Sequence, residues 1–177
     1  MTVSVRPSRE ADTPAITRIY AGEVTSGFAT FEEIAPDAQE MADRRAALLH
    51  AGMPYLVAVR DSVVIGYAYA GPWRARPAYR HSVETSVYVA PECRGLGAGR
   101  ALMSDLIARC EAGGWRQMVA VIGDSGNAAS IALHGRLGFR DVGTLRAIGF
   151  KHGRWVDTVI MQRPLGRGDG DPPERPF

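Results

Sequence analysis

Between Val87 and Leu102 the chain reads Val-Tyr-Val-Ala-Pro-Glu-Cys-Arg-Gly-Leu-Gly-Ala-Gly-Arg-Ala-Leu, a β-rich run that passes through a glycine loop straight into an amphipathic helical pattern. Glycines at 95, 97 and 99 have no Cβ, so the backbone can turn sharply and bring successive N–H groups against an anion at the positive end of the next helix. The junction suits a pyrophosphate and so points to a nucleotide-like cofactor. A P-loop requires Gly-Lys-Ser/Thr entering the helix, but Gly99 is followed by Arg100 and Ala101, which argues against ATP or GTP hydrolysis. A dinucleotide fingerprint requires a further glycine where Arg100 stands and an acidic residue roughly 20 positions on, where the chain reads Trp115-Arg-Gln-Met-Val-Ala-Val.

The 177 residues suit one domain, since a chain of this size buries roughly 70% of its unfolded surface. A hydrophobic share of 46% and a charged share of 23% are ordinary for a globular chain, and no apolar run approaches the ~18 residues of a membrane span. The opening Met-Thr-Val-Ser-Val-Arg-Pro lacks the basic start and apolar stretch of a signal peptide, so a cytoplasmic location is expected. Cys93 and Cys110 show no metal-ligand spacing, and neither a disulfide framework nor a metal site is expected. A net charge of +2 gives no case for nucleic acid as a partner. Lys151 is the only lysine among many arginines, a bias that fits GC-rich coding better than function.

The pattern predicts a mixed α/β order. Val3 to Arg6 is a first strand, and Ser8 is an N-cap for a helix carrying Ile16, Ile19, Tyr20 and Val24. A loop from Thr25 to Ala35 precedes a second helix, with Pro36 in its first turn and Gly52 closing it. Tyr55 to Arg60, Asp61-Ser62 and Val63 to Ala70 form a hairpin. A strand from Ser82 to Val89, the helix over about 97 to 112, a strand from Gln117 to Ile122, a helix from Asn127 and two strands around Arg140–Phe150 and Trp155–Gln162 follow. The single domain should span 1–163, and the tail 164–177, rich in Gly, Pro and charge, should be disordered.

Arg94-x-x-Gly97-x-Gly99 resembles the pyrophosphate signature of the GNAT acetyltransferase superfamily, whose members bind acetyl-CoA there. Asn127-Ala-Ala-Ser130-Ile-Ala-Leu-His134-Gly-Arg-Leu-Gly138-Phe139 resembles that superfamily's second motif, a helix beside the pantetheine arm. Gly71-Pro-Trp-Arg74-Ala-Arg76, Val83-Glu84-Thr-Ser-Val-Tyr-Val89 and Gly149 to Gln162 are similar to one branch, the phosphinothricin and methionine sulfone/sulfoximine N-acetyltransferases. The resemblance covers about residues 3 to 163. It implies the acyl-CoA N-acyltransferase fold, a central twisted mixed β-sheet flanked by helices, and direct acetyl transfer from acetyl-CoA to the α-amine of a small amino-acid-like acceptor. It also implies a homodimer. Herbicide detoxification and amino-acid-oxide detoxification both fit, because the two acceptors differ by a few atoms around one head group.

Acetyl transfer from a thioester to an amine needs a base, a donor for the developing oxyanion and an acid for the thiolate. Glu84 shares a strand face with Ser86 and Tyr88, with β-branched residues on the other face. By resemblance it is the general base; otherwise it hydrogen-bonds a neighbouring strand. His134 stands where many superfamily members have a tyrosine and the phosphinothricin branch has histidine. An imidazole can give either acid or base assistance, or simply hydrogen-bond the backbone. For the oxyanion, the resemblance implies backbone N–H groups around Val87, Tyr88 and Val89. The cofactor loop implied is Arg94, Gly95, Leu96, Gly97, Ala98, Gly99 and Arg100, joined by Asn127, an N-cap with Ser130 three positions on. Arg94 either adds charge to that loop or lies on the surface.

Arg74, Arg76 and Arg80 concentrate positive charge before the Glu84 strand, where a planar guanidinium fork suits a carboxylate or sulfone-like oxyanion, unless they are a solvated loop. With Phe31, Thr85 and Ser86 they complete the acceptor site that the resemblance implies. Phe28, Thr30 and Phe31 lie over the acceptor or serve as core or dimer contacts. The basic stretch disfavours polycationic acceptors such as aminoglycosides and polyamines. A protein N-terminus as acceptor, or a non-catalytic acyl-CoA sensor, are the other readings.

Overall fold

Strand Ser82–Val89 fixes the centre of the molecule, because its two faces carry different chemistry. The computed structural model describes residues 2–173. In chain order the elements are β1 (Ser4–Pro7), α1 (Thr13–Ser26), α2 (Ala38–His50), β2 (Tyr55–Arg60), β3 (Val63–Pro72), β4 (Ser82–Val89), α3 (Ala98–Ala112), β5 (Gln117–Gly123), α4 (Ala128–Arg136), β6 (Arg140–Lys151) and β7 (Arg154–Pro164). The strands form one seven-stranded mixed sheet in the order β1-β2-β3-β4-β5-β7-β6, in which β4 and β5 are the parallel pair and the other neighbours run antiparallel. The expected fold class holds.

Each face of the sheet has its own core. On one, Leu102, Met103 and Leu106 of α3 pack on Leu56, Ala58, Ala68 and Val83. On the other, Ile16, Tyr20 and Val24 of α1 and Met41 of α2 cover Tyr55, Val57, Tyr67 and Tyr88. Alternation along β2 and β4 sends neighbouring residues to opposite cores, as period-2 geometry requires. The β2–β3 hairpin turns through Asp61 (φ 51°) and Ser62 (φ 64°), the left-handed pair of a two-residue turn that matches strand twist.

Three local expectations need correction. Ser8 caps no helix: its hydroxyl and carbonyl accept from Arg45 at 2.7 and 2.6 Å, and a short 3₁₀ turn, Glu10–Asp12, precedes α1. The second helix starts at Ala38, with Asp37 as N-cap accepting from the Glu40 N–H at 2.8 Å, because a carboxylate satisfies an orphan amide that Pro36 cannot. The tail expected to be disordered is held over its first residues. Leu165 is fully buried in the α3-side core, and the Arg116 guanidinium donates to the carbonyls of Gly168 and Asp171 and pairs with the Asp171 carboxylate. The boundary at 163 is therefore too early, and residues 174–177 lie outside the described residues.

Leu165→Ala should lower unfolding free energy by about 2–5 kcal/mol, the cost of a cavity in a packed site. Urea denaturation checks this, and an effect within 0.5 kcal/mol, as for a surface change, would mean the segment is not docked in solution.

Candidate active site

The ladder between β4 and β5 runs from Ser82↔Gln117 to Thr85↔Ala120 and stops, although β4 stays paired to β3 as far as Val89 and β5 to β7 as far as Gly123. Each strand follows its outer neighbour, so the pair opens like a V. The Trp73 N–H bonds the Ser82 carbonyl and the Ala90 N–H bonds the Ile65 carbonyl, so even-numbered residues of β4 turn their backbone groups to β3. Val87 and Val89 therefore present theirs to the opening. Two cavities lie there. One, of about 420 Å³, is bordered by Val87, Tyr88, Val89, Arg94, Gly99, Asn127 and Ser130; the other, of about 240 Å³, by Glu84, Thr85, Ser86, Tyr69, Phe31, Asn127, Ser130 and His134.

The larger cavity has the features of an acyl-CoA site. Gly95 (φ 80°) and Gly97 (φ 85°) hold left-handed backbone, and Gly97 is the N-cap of α3. The first intrahelical bond in that turn is Ala101 N–H to Gly97 O, which leaves the N–H groups of Ala98, Gly99 and Arg100 free of helix partners at the positive end of a 15-residue helix. A Cβ on Gly99 would sit 3.3 Å from Leu133 and 3.8 Å from Val89, so its absence lets α3, α4 and β4 converge. Asn127 is the α4 N-cap, its Oδ1 accepting from the Ser130 N–H at 3.2 Å. Arg94 forms an ion pair with Glu23 of α1, which sequence reasoning missed; both border the cavity. Leu96 and Arg100 are exposed.

In the smaller cavity Glu84 and Ser86 lie on the face of β4 that carries Tyr88. Burial pushes the Glu84 carboxyl above the usual range, and the nearby Arg74 guanidinium offsets part of that. His134 is buried, and its Nδ1 lies 2.9 Å from the Ser130 carbonyl. That oxygen can only accept, so Nδ1 carries the proton and Nε2 the lone pair. Burial also lowers the His134 pKa, against a smaller upward pull from that hydrogen bond.

Not every predicted residue contributes a side chain. Thr85 borders the cavity, but its hydroxyl points into the α3-side core, 3.3 Å from Met103 Sδ, because odd residues of β4 face that way. Tyr88 is likewise spent in an aromatic stack, 5.1 Å from Tyr67 and edge-on to Tyr20 at 5.2 Å, so only its backbone is at the site. Arg74 joins a third cavity of about 560 Å³ with Glu84, Phe31, Trp73, Leu145, Ile148 and Phe150, and its guanidinium lies 4.0 Å over the Trp73 ring. Arg76 is exposed at the start of a short 3₁₀ turn and borders neither cavity that contains Glu84.

The pattern of the acetyltransferase (GNAT) family matches residues 16–139. The chain belongs to the GNAT acetyltransferases. It is 56% identical to phosphinothricin N-acetyltransferase of Alcaligenes faecalis over 97% of this chain and 87% of that one. It is 44% identical to the L-methionine sulfoximine/L-methionine sulfone acetyltransferase of Pseudomonas paraeruginosa over 93% and 96%. The crystal structure of a GNAT superfamily phosphinothricin acetyltransferase from Sinorhizobium meliloti in complex with AcCoA superposes with a TM-score of 0.96 at 50% identity, covering 99% and 95%. The protein is an N-acetyltransferase that uses acetyl-CoA, and the free N–H groups at the α3 N-terminus and along the β4 opening fit that group. Among the described residues no helix is long and apolar enough to cross a membrane.

The Nδ1–H assignment gives this GNAT enzyme a spectroscopic signature. His134 should titrate below the ~6.5 of a free imidazole and remain the Nδ1–H tautomer at neutral pH, read from its ¹⁵N shifts. A midpoint above that value would remove the burial argument.

Proposed function

We propose that the enzyme acetylates the α-amine of a small amino-acid-like acceptor, such as phosphinothricin, methionine sulfone or methionine sulfoximine, by direct transfer in a ternary complex. The observation that carries this reading is the convergence of Glu84, His134 and Arg74 on adjoining cavities beside the β4–β5 opening. Arg74 offers a planar fork for the acceptor's carboxylate or side-chain oxyanion, while Phe31, Leu145, Ile148 and Phe150 line the space for an apolar stem. A polycation would meet Arg74 as a like charge, which disfavours aminoglycosides and polyamines.

When bound, acetyl-CoA supplies an activated acetyl thioester. The acceptor arrives as an ammonium, and the Glu84 carboxylate removes one proton, directly or through water, to free the nitrogen lone pair. The nitrogen gives up a second proton as the C–N bond forms and the C–S bond breaks. His134 Nε2, carrying the lone pair, accepts that proton and returns it to the departing sulfur, so the ring ends as it began. Backbone N–H groups of Val87 and Val89 stabilise charge on the carbonyl oxygen. The net yield is an amide, a thiol and one proton. A cytoplasmic location is part of this reading, and the use of acetyl-CoA as donor supports it.

The test measures CoA-thiol release with methionine sulfone, methionine sulfoximine, phosphinothricin and an aminoglycoside, for wild type and Glu84→Gln. Release with an amino-acid analogue is expected. The wild-type kcat/KM should rise with pH along a limb above the ordinary carboxylate range, since only ionised Glu84 is a base and its pKa is raised. Glu84→Gln should erase that limb and cut turnover by about 10²–10⁴-fold. Release with the aminoglycoside alone would overturn the acceptor class, and an unchanged pH profile would overturn the base.

A second copy of the chain is the partner this reading includes. β6 ends the sheet, leaving one side of its backbone unpaired, and Val142, Leu145, Ile148 and Phe150 of β6 and Trp155 of β7 are each at least half exposed. Leu145, Ile148 and Phe150 also line the acceptor cavity, so a dimer through this edge would border both acceptor sites. Sedimentation should give twice the chain mass, and Trp155→Glu should shift it toward the monomer; a wild-type monomer would sink the proposal.

A further inference from the structure

We infer that Lys151 is a positioning residue for the acceptor site: its buried ammonium fixes the main chain of residues 27–31, the segment between the cofactor and acceptor cavities. This inference rests on the reading that the Glu84 cavity receives the amine. Lys151, the last residue of β6, is 2% exposed. Its Nζ donates to the carbonyl oxygens of Thr30 at 2.8 Å, Gly27 at 3.0 Å and Glu23 at 3.2 Å. An ammonium has three N–H donors and no acceptor, so these bonds use it fully. Glu23 and Gly27 belong to the last turn and C-cap of α1, at the negative end of the helix dipole, and the Glu23 carbonyl accepts the Gly27 N–H as well. The third carbonyl lies in the loop beyond.

That loop shapes both cavities. Gly27 and Phe28 border the cofactor cavity, Ala29 borders both, and Thr30 and Phe31 border the one holding Glu84 and His134. Its seats are two glycines on β5 and β6, the strands that flank β7. A Cβ on Gly123 would come within 1.9 Å of the Phe28 carbonyl oxygen, and one on Gly149 within 2.1 Å of the Phe31 ring. The loop's other supports grip side chains. Phe28 lies 3.9 Å under the Arg154 guanidinium and edge-on to His152 at 5.4 Å, and the Thr30 hydroxyl bonds the Tyr20 phenol at 2.8 Å. Lys151 holds the backbone itself. A methionine there would fill the volume and take the ammonium from three carbonyls, of which that of Glu23 keeps the Gly27 N–H, so the segment from Gly27 onward would be free to shift while the fold kept its packing. Gly27 and Phe28 also border the cofactor cavity, but the main-chain donors suited to the cofactor stand on α3 and β4, so the effect should fall more on the acceptor, whose cavity takes Thr30 and Phe31.

The experiment compares wild type, Lys151→Met and Gly149→Ala in steady-state kinetics with methionine sulfone and acetyl-CoA, together with hydrogen exchange of peptides covering 27–31. Gly149→Ala displaces Phe31 without touching the ammonium and shows what movement of the loop alone does, and Lys151→Gln, which keeps two donors on a shorter side chain, replaces the methionine variant if that does not fold. Either variant should raise the acceptor KM about tenfold or more with the acetyl-CoA KM within about threefold, and Lys151→Met should speed exchange across 27–31. Equal changes in both KM values, or a loss of stability with the KM ratio and exchange unchanged, would overturn the inference. If the wild type binds acetyl-CoA but acetylates no offered amine, the acceptor reading fails, and exchange at 27–31 in Lys151→Met still decides whether the ammonium holds the loop.

Discussion

The structure depends on a ladder that stops. After Thr85↔Ala120, β4 and β5 each remain committed to an outer antiparallel partner, and the parallel pair between them parts. A buried peptide group without a partner is costly, so an opening in mid-sheet persists only where something else satisfies the exposed amides. The free N–H groups of β4 and of the first turn of α3 lie along the same cavity, and both are donors facing one way. The glycine loop follows from this constraint. It must carry the chain from the end of β4 into α3 while leaving the amides uncovered, and left-handed backbone at Gly95 and Gly97 does that without a Cβ in the way.

Much of this was legible in the sequence because the signals were local. The β2–β3 turn at Asp61-Ser62, the span of β4, the Asn127 cap and the glycine junction each depend on residues a few positions apart, and each stands where the pattern placed it. What could not be read depends on partners distant in sequence. Ser8 looks like a cap until Arg45, 37 residues away, takes its oxygens. The tail looks unstructured until Arg116, 52 residues before Gly168, receives its carbonyls. Lys151 was set down to composition, since nothing near it in sequence hints at three carbonyls more than 120 residues earlier. Thr85 differs for another reason: it borders the Glu84 cavity as expected, but its hydroxyl faces Met103 of α3 on the other side of the strand.

Charge is arranged so that the chemistry happens among groups that prefer to be neutral. Burial favours the protonated form of Glu84, which makes its carboxylate a stronger base, and the neutral form of His134, which keeps the Nε2 lone pair free. Formal charges nearby are taken up in pairs or by backbone. Glu23 answers Arg94 beside the cofactor cavity, and Lys151 is met by carbonyls rather than by a carboxylate. Arg74 contrasts with these. It lies exposed over Trp73 at the mouth of the acceptor cavity, where its field offsets part of the desolvation of Glu84.

The two cavities therefore recognise their occupants by different means. The cofactor side works through main-chain amides, which few substitutions can alter, since the sheet and helix fix where they point. The acceptor side, in the reading proposed, works through the side chains of Phe31, Arg74 and Ile148, which line its cavity, and through a loop seated on two glycines. A single replacement there changes the shape or charge of the acceptor cavity while the ladder, the α3 N-terminus and the paired charges stay in place. Enzymes sharing this architecture can thus diverge in the amine they accept with the donor site unchanged, and the residue linking the two halves is the ammonium that sets the path of the loop between them.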